Sequence, residues 1–186
     1  MIAITRIKTS SGLDFDVRLA SADDQPRLIE FWKHVSPLDL ARRAIGIGEA
    51  GSAPPAGGAD TTEYLAFDGD HNLIAVALLV TDQGDEAART TVCTDARATH
   101  HGVSWALLDH VLRDARAAGV RTVESLFSKQ DVHAALLERK MGFVEVDHAG
   151  DGDMTLLRWT FAGPVSTAGT HPVANLPVDP EMDGGL

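Results

Sequence analysis

The stretch Ala87–Ala118 constrains the fold most, because it predicts a strand, a turn and a helix in direct succession. Ala87–Thr94 has the composition of a strand, and a polar turn containing Gly102 follows it. After that turn, apolar residues recur at helical spacing until Gly119: Val103, Leu107, Leu108, Val111 and Leu112. The first N–H groups of a helix have no partner within it and carry partial positive charge. A glycine at this point lets an anion approach the backbone, so the stretch predicts a phosphate site.

The rest of the chain supplies strands on both sides of this unit. Leu73–Val80 is a nearly unbroken apolar run, as expected of a strand buried on both faces. Ser21, with Asp24 three residues later, predicts the start of a first helix, and Pro37 the first position of a second. Other short strands are predicted at Phe15–Leu19, Tyr64–Phe67, Val120–Phe127, Phe143–Val146 and Met154–Trp159. We therefore predict an α/β (α+β) fold whose central mixed sheet is flanked by helices.

The second helix is expected to turn apolar residues toward the core, namely Leu38, Ala41 and Ile45. Arg42 and Arg43 lie near its C-terminal end, where the helix dipole favours cations. We interpret this pair as a solvated helix end. A last helix, capped by Ser128 or Asp131, is expected to run to Met141 and to end at Gly142.

Composition shifts divide the chain into one domain and two less regular segments. Residues 1–162 contain all the predicted elements and are expected to form a single domain. Within it, residues 47–61 are rich in Gly, Ala and Pro without periodicity, which predicts a flexible loop. Residues 163–186 are Pro/Gly-rich and acidic, and we predict a disordered tail.

The overall charge excludes some classes of partner. The 186 residues carry a formal net charge of -11, which argues against nucleic acid and against an anionic membrane surface. No run approaches the length of a membrane span, and the first residues do not resemble a signal peptide. The single cysteine excludes an internal disulfide bond. These observations favour a cytoplasmic protein.

Four segments together resemble the GNAT superfamily of acyl-CoA-dependent N-acyltransferases. They are VRLASADDQPRLIEFW, SPLDLARR, DARATHHGVSWALLDHVLRDARAAGV and ALLERKMGF. The first is similar to the opening strand and helix of the family. The second resembles the second helix in the GNAT domains of bacterial protein lysine acetyltransferases. The third and fourth resemble the pyrophosphate loop with its long helix and the closing helix. The resemblance implies the GNAT fold, with a central, mostly antiparallel mixed sheet, and acetyl-CoA or another acyl-CoA as cofactor.

The same resemblance implies a set of cofactor-binding residues. The pyrophosphate loop of the family falls on Thr99, His100, His101, Gly102, Val103 and Ser104. The two histidines either contact the pyrophosphate or are exposed turn residues. The end of the preceding strand, at Val92, Cys93 and Thr94, would bind pantetheine through its backbone. Asp131 stands where the family often has an asparagine before the closing helix.

The catalytic residues of the family transfer less cleanly. Its reaction is a direct attack by an amine on the thioester, which needs a proton acceptor for the amine and a proton donor for the thiolate. The frequent glutamate of the central strand falls on Arg89, and the tyrosine of the closing helix falls on Glu138. We interpret Glu138 as a solvated carboxylate and name Glu86 as the nearest substitute base. Cys93 is interpreted as a small buried residue rather than a nucleophile.

Two functions remain open at this point. One is an acetyl-CoA-dependent N-acetyltransferase acting on an amine, either a small molecule or a lysine side chain. The other is a degenerate GNAT domain that senses acyl-CoA or binds a partner. The negative charge mildly favours a cationic acceptor. Adjacent histidines cannot easily share one ion, so no metal site is predicted. The oligomeric state is left open, with a homodimer as one option.

Overall fold

The computed structural model describes residues 3–46, 60–81, 86–97, 102–147 and 153–162. Eight strands and four helices follow one another in these residues, with a short 3-10 turn at Ala22–Asp24. In chain order they are β1 (Thr5–Lys8), β2 (Asp14–Leu19), α1 (Gln25–Trp32), α2 (Pro37–Gly46), β3 (Asp60–Phe67), β4 (Leu73–Thr81), β5 (Ala87–Thr94), α3 (Val103–Ala117), β6 (Thr122–Ser128), α4 (Val132–Met141), β7 (Val144–Val146) and β8 (Met154–Thr160).

The strands form one sheet in the order β1-β2-β3-β4-β5-β6-β8-β7. Every neighbouring pair is antiparallel except β5 and β6, which run parallel. The predicted mixed, mostly antiparallel sheet is therefore confirmed. The parallel pair arises because α3 carries the chain from the end of β5 back to the start of β6.

Helices cover both faces of this sheet. On one face Leu28 and Phe31 of α1, together with Val35 beyond its end, form a cluster with Leu65, Val76 and Cys93 of β3, β4 and β5. On the other face the apolar stripe of α3 packs with alternate residues of the same strands, and residues of α4 join that cluster. Neighbouring residues of β4 thus belong to different clusters, which explains its unbroken apolar sequence.

The loop and the tail of the sequence analysis lie mostly outside the described residues. The loop expected at 47–61 was too long by two residues, because Asp60 and Thr61 belong to β3. Asp60 pairs with Thr81 and Thr61 with Val80, so the hairpin with β4 extends this strand beyond the predicted Tyr64–Phe67. Residues 47–59 and the predicted tail 163–186 are outside the described part of the chain.

Gly142 ends α4 in a left-handed conformation with φ of 107°. A β-carbon at this position would lie 2.8 Å from the ring of Trp159 in β8, closer than such atoms approach. The glycine therefore lets the chain turn under the indole and enter β7. This contact fixes the end of α4 against β8.

Candidate functional site

The β5 and β6 strands pair over a short distance and then separate. Their parallel register covers Ala87 with Thr122, Ala88 with Val123, and Arg89 with Glu124. The strands continue to Thr94 and Ser128 without further pairing to one another among the residues described. We call the gap between Thr90–Thr94 and Ser125–Ser128 the β5–β6 opening. Backbone groups that β5 and β6 do not pair with one another along this gap are a place where a bound molecule can form hydrogen bonds.

Two buried polar atoms without partners among the described residues occur on β5 and α4, the elements next to this opening. Thr91 is 2% exposed and its Oγ1 has no hydrogen-bond partner in the described structure. Glu138 of α4 is also buried, and its Oε2 is without a partner among the same residues. Buried polar atoms are nearly always paired in proteins, so the unpartnered oxygen of Glu138 indicates a place that a ligand completes.

The end of β5 forms one wall of the opening. Cys93 and Thr94 are buried, and Val92 is partly buried. Burial raises the pKa of the Cys93 thiol to about 11, and its Sγ lies 3.6 Å from the backbone oxygen of Asp39. A thiol held in this way is neutral at physiological pH, which confirms the interpretation of Cys93 as a buried side chain.

Gly102 immediately precedes α3 and has a left-handed φ of 72°. Val103 then enters the core, and Ser104 is partly buried in the first turn. The first N–H groups of this helix lack carbonyl partners within it, as in any helix. Thr99, His100 and His101 lie outside the described residues. The predicted glycine and helix N-terminus are therefore present, while Thr99 and the two histidines remain untested.

Arg42 of α2 spans the opening. Its guanidinium donates to the backbone oxygen of Val92 on β5, to Oδ1 of Asp39 at 2.6 Å, and to Oδ2 of Asp131 at 3.0 Å. Asp131 caps α4, because its Oδ1 accepts a hydrogen bond from the backbone N–H of Ala134 at 3.2 Å. One guanidinium thus ties the end of β5 to the start of α4.

Comparison with solved structures identifies this architecture. The GNAT domain of S. lividans PAT matches 85% of this chain and 97% of its own with a TM-score of 0.72 at 17% identity. A GCN5-related N-acetyltransferase from Kribbella flavida matches 79% and 98%, with a TM-score of 0.59 at 18% identity. The ribosomal-protein-S18-alanine N-acetyltransferase from Escherichia coli matches 86% and 99%, with a TM-score of 0.58 at 15% identity. The chain has the GNAT fold. No protein-family model and no curated protein matches its sequence.

Seen as a GNAT fold, the chain carries a buried acid on its closing helix. Glu138 is 7% exposed, and its Oε1 accepts a hydrogen bond from the Ser125 hydroxyl at 2.8 Å. The pKa of this carboxyl group is raised to about 7 because burial outweighs the Ser125 hydrogen bond and the charge of Arg42, both of which lower it. The interpretation of Glu138 as a solvated carboxylate was wrong. Ala134, Ala135 and Met141 flank it on the buried stripe of α4, and that spacing was the signal available in the sequence.

The interpretation of Arg42 and Arg43 as a solvated helix end was also wrong. The Arg42 side chain is 11% exposed, and Arg43 is buried beside the Trp32 ring, 5.0 Å from its centroid. The expected inward residues Leu38 and Ala41 are exposed instead, and nothing is described for the side chain of Ile45. In this GNAT fold α2 therefore turns its charged face toward the sheet. Asp39 and Arg42, three residues apart, pair on that face, which a purely apolar pattern does not reveal.

Glu86 lies away from the opening. It is exposed, directly precedes β5, and its carboxylate is 3.3 Å from Arg121. Its backbone oxygen accepts hydrogen bonds from the N–H groups of Arg121 and Thr122 at the start of β6. At about 3.4 Å per strand residue, Glu86 is on the order of 17 Å from Thr91. Its assignment as the general base stays a prediction, and the structure does not bring it together with the other site residues.

The described residues contain neither a metal cluster nor a membrane-spanning helix. They contain no group of three or more His, Cys, Asp or Glu side chains placed to hold a metal ion. They also contain no helix of sufficient length and apolar character to cross a membrane.

Proposed function

We propose that this protein is an acetyl-CoA-dependent N-acetyltransferase, which transfers the acetyl group to an amine by direct attack. The β5–β6 opening, with the unpartnered Glu138 Oε2 beside it, is the observation that carries the proposal. The solved structures with this fold that we compared are named as acetyltransferases, or as the GNAT domain of PAT. The function follows from the opening only together with that likeness of fold.

The residues around the opening suit an acyl-CoA donor. The edge of β5 at Val92, Cys93 and Thr94 would pair with the amide groups of pantetheine. Gly102, Val103 and Ser104 would hold the pyrophosphate through N–H groups at the N-terminus of α3. Asp131 would border the pantetheine arm from the start of α4. The donor supplies an activated acyl group, and the chain's own residues orient it and handle protons.

Arg42 is the residue that an entering donor would meet on β5. Its guanidinium is bonded to the Val92 backbone oxygen, one of the groups assigned to pantetheine. A carbonyl oxygen has two lone pairs, so the donor would share the Val92 oxygen with Arg42, which also keeps its hydrogen bonds to Asp39 and Asp131. We expect Arg42 to stay at the wall of the opening when the donor is bound.

We propose an amine as the acceptor, and beyond that we propose only that it is a cation. The net charge of -11 attracts cations over a long range, which favours a polyamine or a lysine side chain. Such an amine must be neutral when it attacks, so a water molecule or a carboxylate must take its proton. Glu86 is the base named from the sequence. Because it lies away from the opening, a chain of water molecules would have to carry the proton from the amine to Glu86.

Calorimetric titration with acetyl-CoA and with CoA tests the donor, and a thermal melt tests it independently. A ligand that binds the native state at a hundredfold excess over Kd stabilises it by about 2.7 kcal/mol. Release of CoA is then followed with spermidine, with a lysine-containing peptide and with ethanolamine. Binding together with turnover supports the proposal, and the absence of any binding overturns it.

An acyl-CoA sensor without activity is the second candidate, and Arg89 is the observation that favours it. Arg89 forms the last residue pair with β6, where the GNAT resemblance places a glutamate base. A guanidinium cannot accept a proton. Tight acetyl-CoA binding without turnover on any amine would select this candidate over the enzyme.

A further inference from the structure

Glu138 of α4 is held beside the β5–β6 opening from the β6 side. Its Oε1 accepts a hydrogen bond from the Ser125 hydroxyl at 2.8 Å, and Ser125 directly follows the last residue of β6 that pairs with β5. The charge of Arg42, which is bonded to the Val92 oxygen on β5, also acts on this carboxyl group. The carboxyl group therefore lies among the groups that border the opening.

The second oxygen of this carboxyl group lacks a partner. Oε2 is buried and takes part in no hydrogen bond among the described residues, and Glu138 as a whole is 7% exposed. A buried carboxyl oxygen is costly to leave without a hydrogen bond. In its ionised form a carboxylate only accepts, so the atom that completes Oε2 must be a hydrogen-bond donor.

The surroundings of Glu138 are unfavourable for a further negative charge. Arg42 shares its single positive charge between Asp39 and Asp131, at 2.6 and 3.0 Å. When Glu138 is ionised, these three carboxylates and one guanidinium carry a net charge of -2. A ligand carboxylate placed beside them would be repelled.

An acyl-CoA bound in the opening would bring its acyl group toward Glu138. In the proposed function the pyrophosphate lies at Gly102 and the pantetheine arm pairs with Val92–Thr94. The acyl end of the donor then points away from Gly102, toward the last strand pair at Arg89. Because Ser125 directly follows that pair on β6, the acyl group is the part of the donor that can reach the carboxyl group bonded to Ser125.

We propose that Glu138 selects the acyl group of the donor, favouring one that carries a hydroxyl group and disfavouring one that carries a carboxylate. This inference rests on the proposed acyl-CoA-dependent function and deepens it, because it names a class of acyl group beyond acetyl. The hydroxyl group donates a hydrogen bond to Oε2, whereas a carboxylate brings two negative charges together. An acetyl group has no donor of this kind and leaves Oε2 to water.

Three four-carbon donors test the assignment by calorimetric titration without an acceptor amine. Butyryl-CoA, 3-hydroxybutyryl-CoA and succinyl-CoA have similar lengths and differ in the group that would meet Glu138. The titrations are run at pH 8, above the Glu138 pKa of about 7. We expect the hydroxyl group to lower Kd about tenfold relative to butyryl-CoA, since hydrogen bonds to charged groups are the stronger class. The carboxylate of succinyl-CoA should raise Kd by about tenfold or more.

Two variants of Glu138 separate its two effects on the donor. Glu138→Met keeps the length of the side chain and removes both oxygens, so the preference for 3-hydroxybutyryl-CoA over butyryl-CoA should fall from about tenfold to about one. Glu138→Gln retains an accepting oxygen and adds an N–H donor, so succinyl-CoA should gain affinity relative to butyryl-CoA. Glu145→Gln changes an exposed glutamate paired with Arg139 and should leave both ratios as in wild type.

Ratios of Kd values separate recognition from any loss that is common to all donors, such as a change in packing or in proton transfer. Equal Kd values for the three donors in wild type would overturn the assignment, as would a hydroxyl preference that survives in Glu138→Met. Binding of acetyl-CoA alone would show that no longer acyl group fits beside Glu138, and this too overturns the assignment. In these cases the acyl-CoA site stands. Failure of acetyl-CoA and all three donors to bind would overturn the proposed function and the inference with it.

Discussion

Arg42 donates a hydrogen bond to Asp131 at 3.0 Å across 89 residues of sequence. The same guanidinium holds Asp39 on its own helix and the Val92 carbonyl on β5. Both carboxylates and the guanidinium are largely buried, with exposed side-chain fractions of 11% for Arg42 and 4% for Asp131. The Arg42 guanidinium therefore holds the end of β5 at a fixed distance from the start of α4.

Removal of that cation should be costly. Arg42→Met leaves Asp39 and Asp131 without their shared partner in a buried site, and we expect a loss of about 3 kcal/mol in the free energy of unfolding. Urea unfolding at pH 7 measures it. Arg113→Met, which removes an exposed partner of Asp109 on α3, is the control and should have little effect. Equal losses in the two variants would show that the Arg42 bridge does not hold the site.

The sequence predicted the sheet correctly, but it did not predict which faces of the helices are turned toward the site. In α3 the apolar residues recur at helical spacing, and β4 is an unbroken apolar run, so the local sequence is sufficient to locate both elements. In α1, Ile29 is 60% exposed and Phe31 is buried, because packing against the sheet selects the face. Arg42 and Glu138 were interpreted wrongly from the sequence for a different reason. Charged residues are assumed to be solvated, and only the partners Asp131 and Ser125, distant in sequence, make their burial possible.

Glu138 should make the stability of the protein depend on pH. Its folded pKa, about 7, is above its ordinary value of 4.5, so between these values the folded state binds more protons than the unfolded state. Stability must then fall as the pH rises from 4.5 to about 7, by up to about 3 kcal/mol, and stay low above it. Thermal melts of wild type and Glu138→Gln at pH 5 and pH 8 measure the effect.

The neutral glutamine removes this titration. The stability of Glu138→Gln relative to wild type should therefore increase from pH 5 to pH 8. Glu145→Gln should follow wild type, because Glu145 is exposed. Parallel pH dependence in wild type and Glu138→Gln would show that the buried carboxyl group is ionised in the folded protein.

Two substitutions of Gly102 should distinguish the effect of backbone strain from the exclusion of the ligand. Its φ of 72° disfavours any side chain, whereas a β-carbon there would be 3.5 Å from Thr9, an ordinary contact. Gly102→Ala should therefore cost about 1 kcal/mol of stability through strain alone and retain acetyl-CoA binding. Gly102→Glu adds a carboxylate beside the expected pyrophosphate and should abolish binding. Calorimetric titration of both variants decides this, and normal acetyl-CoA affinity in Gly102→Glu would place the donor elsewhere.

Asp24 should contribute stability that depends on pH in the opposite sense to Glu138. Asp24 is 1% exposed and binds the Arg18 guanidinium through two hydrogen bonds of 2.6 and 2.7 Å. It also accepts hydrogen bonds from the backbone N–H and the hydroxyl of Ser21, just before α1. These bonds hold the pKa of the carboxyl group well below its usual range, with the Arg18 hydrogen bond as the largest cause.

A lowered folded pKa means that the unfolded state binds more protons as the pH falls. The contribution of Asp24 is therefore complete above its ordinary pKa of 3.8 and is lost as the pH falls below that value toward the folded pKa. Asp24→Asn should cost about 3 kcal/mol at pH 7, because the nearly buried Arg18 loses its counter-charge, and this difference should narrow in urea titrations at pH 3. Asp16→Asn, in the exposed pair with Arg6, should cost much less at both pH values. If Asp24→Asn and Asp16→Asn were equally mild at pH 7, the Arg18–Asp24 pair would not be what fixes the start of α1 against β2.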